Sequence, residues 1–181
     1  MIVRAASQRD MTRVAEIYAH AVLHGLGTFE ETPPSPEDME ARRAAIVAQG
    51  LPYLVAEEAG QVLGFAYAGP FRPRAAYRYT VEDSVYVAPD AQGRGVGRAA
   101  LSAVLDACAA LGLRQVVAVI GDSSNTASVG LHAALGFTHQ GVGKSLGFKH
   151  GRWVDIVWMQ KALNGGEGSP PDAPGLTLGG G

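Results

Sequence analysis

The stretch QGRGVGRAA, residues 92–100, constrains the fold of this chain more than any other feature. Three glycines alternate with other residues just before a segment of helical periodicity, and the preceding TVEDSVYVA alternates with the period of a strand. A glycine loop between a strand and a helix directs backbone N–H groups to the positive end of the helix dipole, where proteins bind phosphate. Arg94 and Arg98 add charge that can pair with a pyrophosphate. The stretch therefore predicts a phosphate-binding loop in an α/β fold.

The same stretch supports two interpretations of which phosphate is bound. From Gly95 it is G-V-G-R-A-A, a match to the dinucleotide fingerprint, with Asp122 after the next strand as the acid that would bind ribose. However, the strand is predicted to end near Ala88, so PDAQG separates it from the glycines, and that fingerprint needs the first glycine in the turn itself. Too few strand–helix units follow for two mononucleotide-binding halves. The interpretation that starts at Gln92, Q-G-R-G-V-G, is therefore favoured.

The bulk composition indicates one globular domain and excludes some partners. A chain of 181 residues with 47% hydrophobic and 18% charged residues is typical of a single soluble domain. Its net charge of -2 gives no electrostatic signature for nucleic acid or for an anionic membrane. The first residues, MIVRAASQRD, lack the apolar segment of a signal peptide, so we expect a cytoplasmic protein.

Cysteine and histidine usage argues against a metal site. Cys108 is the single cysteine, which excludes an internal disulfide and a cysteine-based zinc site. His20 and His24 lie one helical turn apart, but no third ligand follows at a suitable spacing, and catalytic zinc sites use three protein ligands. We expect no bound metal.

Periodicity predicts the element order β-α-α-β-β-β-α-β-α-β-β. This order corresponds to a mixed α/β (α+β) sheet of about six to seven strands flanked by about four helices. The predicted helices begin at Ser7, at Ser35-Pro36, at Gly95 and at Asn125. The domain is expected to cover residues 1–163, and the tail 164–181, NGGEGSPPDAPGLTLGGG, to be disordered because it lacks the apolar residues for a core.

Several segments together resemble the GNAT acyltransferase superfamily. Q-G-R-G-V-G is similar to the Q/R-x-x-G-x-G/A loop with which that family binds the pyrophosphate of acetyl-CoA. NTASVGLHAALGF is similar to its N-x-x-A-x-x-L-Y-x-x-x-G-F segment, with His132 where most members have tyrosine. The segments HAVLHGLGTFEETPPSPEDM, YAGPFRPRAAYRYTVEDSVYV and GFKHGRWVD resemble the phosphinothricin and methionine sulfoximine N-acetyltransferases. The resemblance covers residues 1–163 and implies the GNAT fold.

The resemblance implies an acetyl-CoA-dependent N-acetyltransferase acting on the α-amine of a small amino-acid analogue. Phosphinothricin, methionine sulfoximine and methionine sulfone are the expected acceptors, and the amine would attack directly in a ternary complex. Glu82 is expected to be the base, since a bound ammonium must lose a proton before it attacks. Asp83 should face the opposite side of the strand. His132 could protonate the leaving thiolate or be a structural histidine.

Further site residues follow from the loop chemistry and from the resemblance. The expected cofactor-binding residues are Val85, Tyr86, Val87, Gln92, Gly93, Arg94, Gly95, Val96, Gly97, Arg98, Asn125 and Ser128. The backbone of the first three would be free only if the neighbouring strand diverges from theirs, as the fold implies. The expected substrate-binding residues are Phe29, Glu30, Arg72, Arg74, Ala75, Ala76, Tyr77 and Thr80, of which the arginines suit an α-carboxylate or a phosphinate oxygen. Lys149, His150 and Trp153 would close the same region at the interface of the homodimer that the family implies.

Two other functions remain open from the sequence. One is acetylation of protein or peptide amines, against which the arginine-rich loop counts, because a wide peptide groove needs no carboxylate clamp. The other is a non-catalytic acetyl-CoA sensor with the same fold.

Overall fold

Seven strands form one mixed sheet in the structure, a computed structural model that describes residues 1–178. The strands are β1 (Ile2–Ala5), β2 (Tyr53–Glu58), β3 (Gln61–Pro70), β4 (Thr80–Val87), β5 (Gln115–Gly121), β6 (Thr138–Lys149) and β7 (Arg152–Ala162). The helices are α1 (Met11–His24), α2 (Pro36–Ala48), α3 (Val96–Ala110) and α4 (Thr126–Ala134). The sheet order is β1-β2-β3-β4-β5-β7-β6, and only β4 and β5 pair in parallel. The predicted element order and fold class are confirmed.

Local sequence signals account for most of the helix boundaries. Ser35 caps α2, because its hydroxyl accepts the N–H of Asp38 at 3.1 Å and the Asp38 carboxylate accepts the Ser35 N–H in return. The first helix begins later than predicted, at Met11 rather than at Ser7. A 3-10 turn over Gln8–Asp10 precedes it, so the predicted cap starts a turn that leads into the helix.

The two faces of β4 contact different helices. Tyr86 packs edge-to-face on Tyr18 of α1, with 4.8 Å between ring centroids, so the even-numbered residues of β4 face α1. Asp83 contacts His132 of α4, so the odd-numbered residues face α3 and α4. The expectation that Glu82 and Asp83 point to opposite sides is confirmed.

The parallel pair β4–β5 separates halfway along its length. Pairing ends at Asp83 and Ala118, although β4 continues to Val87 and β5 to Gly121. Over these residues β4 remains paired with β3, and β5 remains paired with β7. The expected divergence is confirmed, and it opens a gap through the middle of the sheet.

The segment after residue 163 differs from the expected disordered tail. The buried Arg114 donates to the carbonyl oxygens of Gly166, at 2.9 and 2.6 Å, and of Ser169, at 2.8 Å. Further along, the Tyr79 hydroxyl donates to the Ala173 carbonyl at 2.9 Å. Composition misses these contacts because they are made by backbone carbonyls, which every residue carries. Residues 179–181 of the predicted tail lie outside the described residues.

Candidate active site

Two cavities meet where β4 and β5 separate. The gap cavity, of about 360 Å³, lies between the end of α1, the two diverging strands and α4. The Glu82 cavity, of about 250 Å³, lies on the α1 side of the sheet and is lined by Glu82, Tyr67, Thr28, Phe29 and Ile156. The residues that line both cavities are Gly27, Ser84, Tyr86, Val119 and Gly121. A group in one cavity can therefore contact a group in the other.

The glycine loop has the geometry of an anion-binding site. Gly93 and Gly95 adopt left-handed conformations, with φ of 73° and 80°, which glycine reaches without steric cost. The first helical bond runs from the Ala99 N–H to the Gly95 carbonyl, at 3.0 Å. The N–H groups at the start of α3 therefore have no acceptor within the helix and are available to a ligand. Gln92 lines the gap cavity, so the loop lies at its entrance.

The loop arginines differ in their surroundings. Arg98 is exposed on the first turn of α3, whereas Arg94 forms an ion pair with Glu58 at the end of β2. This pair is solvent-exposed on both sides, so it is weak and a phosphate can compete for Arg94.

Gly97 brings α3 against β4. A Cβ atom at Gly97 would lie 3.3 Å from side-chain methyl carbons of Val87 and Leu131, closer than most real Cβ contacts. The preceding Val96 is buried. The start of the helix is thus seated beside the part of β4 that borders the gap.

The backbone of Val85, Tyr86 and Val87 borders the gap along one edge of β4. On the other edge these residues pair with Ala66, Phe65 and Gly64 of β3. Because peptide groups alternate between the two edges of a strand, part of this backbone faces the gap.

Helix α4 supplies the opposite wall of the gap cavity. Asn125 caps the helix by accepting the Ser128 N–H at 3.1 Å, and its amide donates to the Gly121 carbonyl at 3.3 Å. Asn125, Ser128 and His132 all line the cavity. The cap therefore joins the end of β5 to the start of α4 at the gap.

His132 and Asp83 form a buried pair in this wall. His132 Nε2 lies 3.0 Å from Asp83 Oδ2, and His132 Nδ1 lies 2.7 Å from the Ser128 carbonyl oxygen. The exposed fractions of the two residues are 2% and 6%. Burial alone lowers the pKa of His132, but the hydrogen bond to Asp83 and the Asp83 charge raise it above the ordinary 6.5.

Glu82 is half-buried in the wall of the Glu82 cavity. Burial raises the pKa of its carboxyl above the ordinary 4.5, the positive charge of Arg72 lowers it in part, and the nearby Asp83 adds to the rise. A carboxylate with a raised pKa is a stronger base toward a bound ammonium.

Of the residues predicted from the GTFEE segment, one lines the cavity. Phe29 does so, and its ring lies against the backbone of β6 at Gly147, where a Cβ atom would lie 2.4 Å from the ring. Glu30 instead accepts the Tyr18 hydroxyl at 2.8 Å and both terminal nitrogens of Arg42 at 2.7 and 3.0 Å. The position of Glu30 is thus explained by its contacts with α1 and α2.

Lys149 fixes the same loop from the other side. It is 2% exposed, and its ammonium donates to the Thr28 carbonyl at 2.8 Å. Burial lowers the pKa of Lys149, and the charges of Glu31 and Glu30 oppose this. Trp153, by contrast, is 64% exposed, and His150 lies in the β6–β7 turn with φ of 51°.

The arginine-rich segment stands away from both cavities. Its members Arg72, Arg74, Ala75, Ala76 and Tyr77 are exposed and line neither the gap cavity nor the Glu82 cavity. Arg72 lies over the Phe71 ring at 4.5 Å. Tyr77 and Thr80 line a separate groove together with Phe71 and Trp158. The predicted carboxylate clamp is therefore not assembled around the cavity in this structure.

Sequence reasoning missed several residues that line the Glu82 cavity. Ser84 lies two residues beyond Glu82 and faces the same side, so the period of the strand could have identified it. Tyr67 is the register partner of Ser84 on β3, and no local signal marks it. Gly121 ends β5 against the backbone of Leu26, a contact that only the fold creates.

Residues 1–178 contain neither a cluster of metal ligands nor a membrane-spanning helix. No group of three or more histidine, cysteine, aspartate or glutamate side chains is placed there to hold a metal ion. The rings of His20 and His24 are 4.8 Å apart and line the gap cavity. None of the helices in this part of the chain combines the length and the apolar character needed to cross a membrane.

Comparisons with known proteins agree with this geometry. The model of the acetyltransferase (GNAT) family matches residues 14–137. The chain is 53% identical over 170 residues to a phosphinothricin N-acetyltransferase of Alcaligenes faecalis, which covers 94% of this chain and 86% of that protein. It is 41% identical over 173 residues to an L-methionine sulfoximine/L-methionine sulfone acetyltransferase of Salmonella typhimurium, covering 96% of this chain and 99% of the relative.

A solved structure provides the corresponding comparison of folds. A phosphinothricin acetyltransferase of Sinorhizobium meliloti, crystallised in complex with AcCoA, superimposes with a TM-score of 0.92 at 47% identity. The match covers 96% of this chain and 94% of that one.

Proposed function

We propose that this chain, which belongs to the acetyltransferase (GNAT) family, transfers the acetyl group of acetyl-CoA to the α-amine of a small amino-acid analogue. Phosphinothricin, methionine sulfoximine and methionine sulfone are the acceptors that its relatives' names support. The observation that carries the proposal is the shared wall of the two cavities. One cavity has a glycine loop at its entrance, and the other holds a buried carboxylate.

Acetyl-CoA would be held along the gap cavity. The helix N-terminus and the loop 92–98 would bind the pyrophosphate, with Arg98 and Arg94 as charged partners. The backbone of residues 85–87 and the residues Asn125 and Ser128 would border the pantetheine arm. Bound in this way, acetyl-CoA supplies a thioester carbonyl that an amine can attack. The reaction would run in the cytoplasm, where acetyl-CoA is available.

Glu82 is the proposed base. An α-ammonium group has a pKa of about 8, so at neutral pH most α-amino groups are protonated. Such a group must lose a proton before its nitrogen can attack. Glu82 faces the cavity beside Ser84 and Tyr86, which also line the gap cavity. It is therefore positioned to accept that proton, directly or through water, close to the thioester.

Arg72 and Arg74 are the proposed partners of the acceptor's anionic groups. Their guanidinium groups are exposed, and the charge of Arg72 already acts on Glu82. A bidentate pair with a carboxylate or a phosphinate would draw the segment 72–77 toward the cavity. This segment would then cover the bound acceptor.

Release of CoA thiol is the direct test of the proposed substrate class. We expect purified protein to release thiol from acetyl-CoA with phosphinothricin, methionine sulfoximine or methionine sulfone, and at least tenfold more slowly with a peptide that carries a free amino terminus. Absence of release with every amine, combined with stabilisation by CoA in a thermal-shift assay, would instead support the sensor function. Faster release with peptides would support protein acetylation.

We also propose that the protein forms a homodimer through the β6–β7 hairpin, with a second copy covering its apolar surface. Phe148 and Trp153 are 58% and 64% exposed and pack on each other with 5.3 Å between ring centroids, on the edge strand β6 and its neighbour β7. Such a surface on a sheet edge is typical of an interface.

Light scattering after size exclusion tests the interface. We expect twice the chain mass for the wild type and the chain mass for the double variant Phe148→Ser/Trp153→Ser. The control is Val47→Ser on α2, a residue that is also exposed, at 45%. A wild-type monomer, or a double variant that remains dimeric, would contradict the proposed interface.

A further inference from the structure

The buried His132–Asp83 pair contains a proton whose position the geometry constrains. The Ser128 carbonyl can only accept a hydrogen bond, so His132 Nδ1, 2.7 Å away, must carry a proton. The contact of 3.0 Å between Nε2 and Asp83 Oδ2 requires a second proton between those two atoms. The pair therefore holds two protons and is neutral as a whole, whichever partner carries the second one.

This arrangement leaves His132 without a free N–H. Both ring nitrogens are engaged, and the ring is also held edge-to-face against Phe137, with 5.0 Å between the ring centroids. His132 therefore cannot release a proton into the gap cavity without changing its bond to Asp83. The unit that can act as an acid is the pair.

Asp83 also affects whether His132 carries its second ring proton, the one that it would donate. A histidine as buried as His132 loses its charge easily, since burial disfavours the charged form. With one proton only, on Nδ1, the ring would donate to Ser128 and nothing else. The Asp83 carboxylate opposes this by stabilising the second proton.

A second observation connects Asp83 with the cavity. Asp83 lines the gap cavity, and its other oxygen, Oδ1, is buried without a hydrogen-bond partner among residues 1–178. A buried carboxylate oxygen without a hydrogen-bond partner is energetically costly. This one belongs to a residue in the wall of the cavity that the thioester would occupy. The unpaired oxygen therefore lies where a bound group could contact it.

We propose that Asp83 is a positioning residue, which fixes His132 and shares with it the proton that neutralises the thiolate released from acetyl-CoA. This inference rests on the proposed function. In the reaction the amine nitrogen forms a bond to the carbonyl carbon, the C–S bond breaks, and its electron pair goes to sulfur. Glu82 first passes one proton of the bound ammonium to solvent, then takes the second proton from the nitrogen as the C–S bond breaks, and the pair gives its proton to sulfur. Solvent then carries the proton from Glu82 back to the pair.

Cys108 and Glu82 are the titratable side chains beside the pair on α3 and β4. Burial raises the pKa of the Cys108 thiol on α3 to about 12, and the Asp83 charge adds to this, so the thiol stays protonated across the neutral range. Glu82, the neighbour on β4, has an ordinary value of 4.5 that burial raises. Ser128 on α4 contributes only its carbonyl and hydroxyl.

Nitrogen-15 NMR of labelled histidine tests the pairing without any acetyl transfer. We expect His132 in the wild type to keep both ring protons to a pH above 6.5, and in Asp83→Asn to lose one at a lower pH. A wild-type midpoint at or below 6.5, or an unchanged midpoint in the variant, would overturn the proposal. The wild-type measurement decides even if the variant does not fold.

Kinetics test the role in the reaction. We expect Asp83→Asn to lower kcat by about 100-fold near neutral pH. The deficit should grow from about pH 6 to about pH 8, because the variant loses its histidine proton at lower pH than the wild type. The control Cys108→Ala perturbs the same buried region and should keep its kcat within about threefold.

The outcomes separate this proposal from the proposed function. A shifted histidine midpoint with unchanged kcat would overturn the proton-donating role. A wild type that acetylates no amine would overturn the proposed function, and the catalytic role of the pair with it, while the NMR result on the pairing would stand.

Discussion

Replacing Glu82 by glutamine is expected to lower kcat/KM for the amino-acid analogue by about 10²- to 10⁴-fold, the usual contribution of a general base. Glutamine keeps the shape of the side chain but loses the negative charge and the ability to accept a proton. Because Glu82 lines the Glu82 cavity and is not among the residues that line the gap cavity, the affinity for acetyl-CoA should not change. Thiol release and equilibrium binding measure the two quantities.

A matched variant separates the base from a general effect of charge. Glu16 is exposed on α1, and its carboxylate pairs with Arg13 at 2.9 Å. Glu16→Gln removes the same charge and should change kcat/KM by less than about twofold, since exposed pairs contribute little. A Glu82→Gln enzyme within about tenfold of the wild type would contradict the assignment of the base.

The pH dependence of the wild type provides a check on the same residue. Glu82 accepts a proton only when it is ionised, so kcat/KM should rise as the pH rises through its pKa. Burial raises that pKa, which moves the acid limb of the profile above 4.5. In Glu82→Gln this limb should be absent. An acid limb at or below 4.5 in the wild type would contradict the role of burial.

Replacing Gly121 by alanine is expected to have the largest effect on the structure of the site. An added Cβ atom would lie 2.0 Å from the Leu26 carbonyl oxygen and 3.1 Å from the Gly27 Cα, and backbone atoms cannot move aside as a flexible side chain can. We expect a loss of about 3 kcal/mol in the free energy of unfolding, at the upper end of overpacking costs. Because Gly27 lines both cavities, acetyl-CoA binding should also weaken.

Gly130 provides the control for this substitution. It lies within α4, where an added Cβ atom would meet nothing within 4 Å. Gly130→Ala should stabilise the protein by about 0.5–1 kcal/mol, the propensity difference between the two residues in a helix. Thermal unfolding with and without acetyl-CoA measures both variants. Equal stability of the two would contradict the close approach of Leu26 to β5.

Local signals in the sequence were sufficient to predict the element order and the glycine loop. The helix caps, the strand period around Glu82 and the distance from Ala88 to the glycines each depend on residues a few positions apart. For this reason the sequence alone distinguishes the phosphate-binding loop from a dinucleotide fingerprint.

The contacts that build the site depend on residues far apart in the chain. His132 and Asp83 are 49 positions apart, and Lys149 reaches Thr28 across 121. No periodicity indicates which buried polar groups will meet, since only the packing of the helices on the sheet decides it. The position of the arginine segment away from the cavity, and the packing of the tail on Arg114, were likewise beyond local patterns.

In the proposed reaction, an amine in the Glu82 cavity attacks a thioester held in the gap cavity. Incubating the protein with carbon-13-labelled acetyl-CoA and nitrogen-15-labelled methionine sulfone, and recording the carbon–nitrogen coupling by NMR, tests this most directly. We expect the labelled acetyl carbon to become bonded to the labelled α-nitrogen as thiol is released. Thiol release with free acetate as the product, or with no coupled amide, would contradict it.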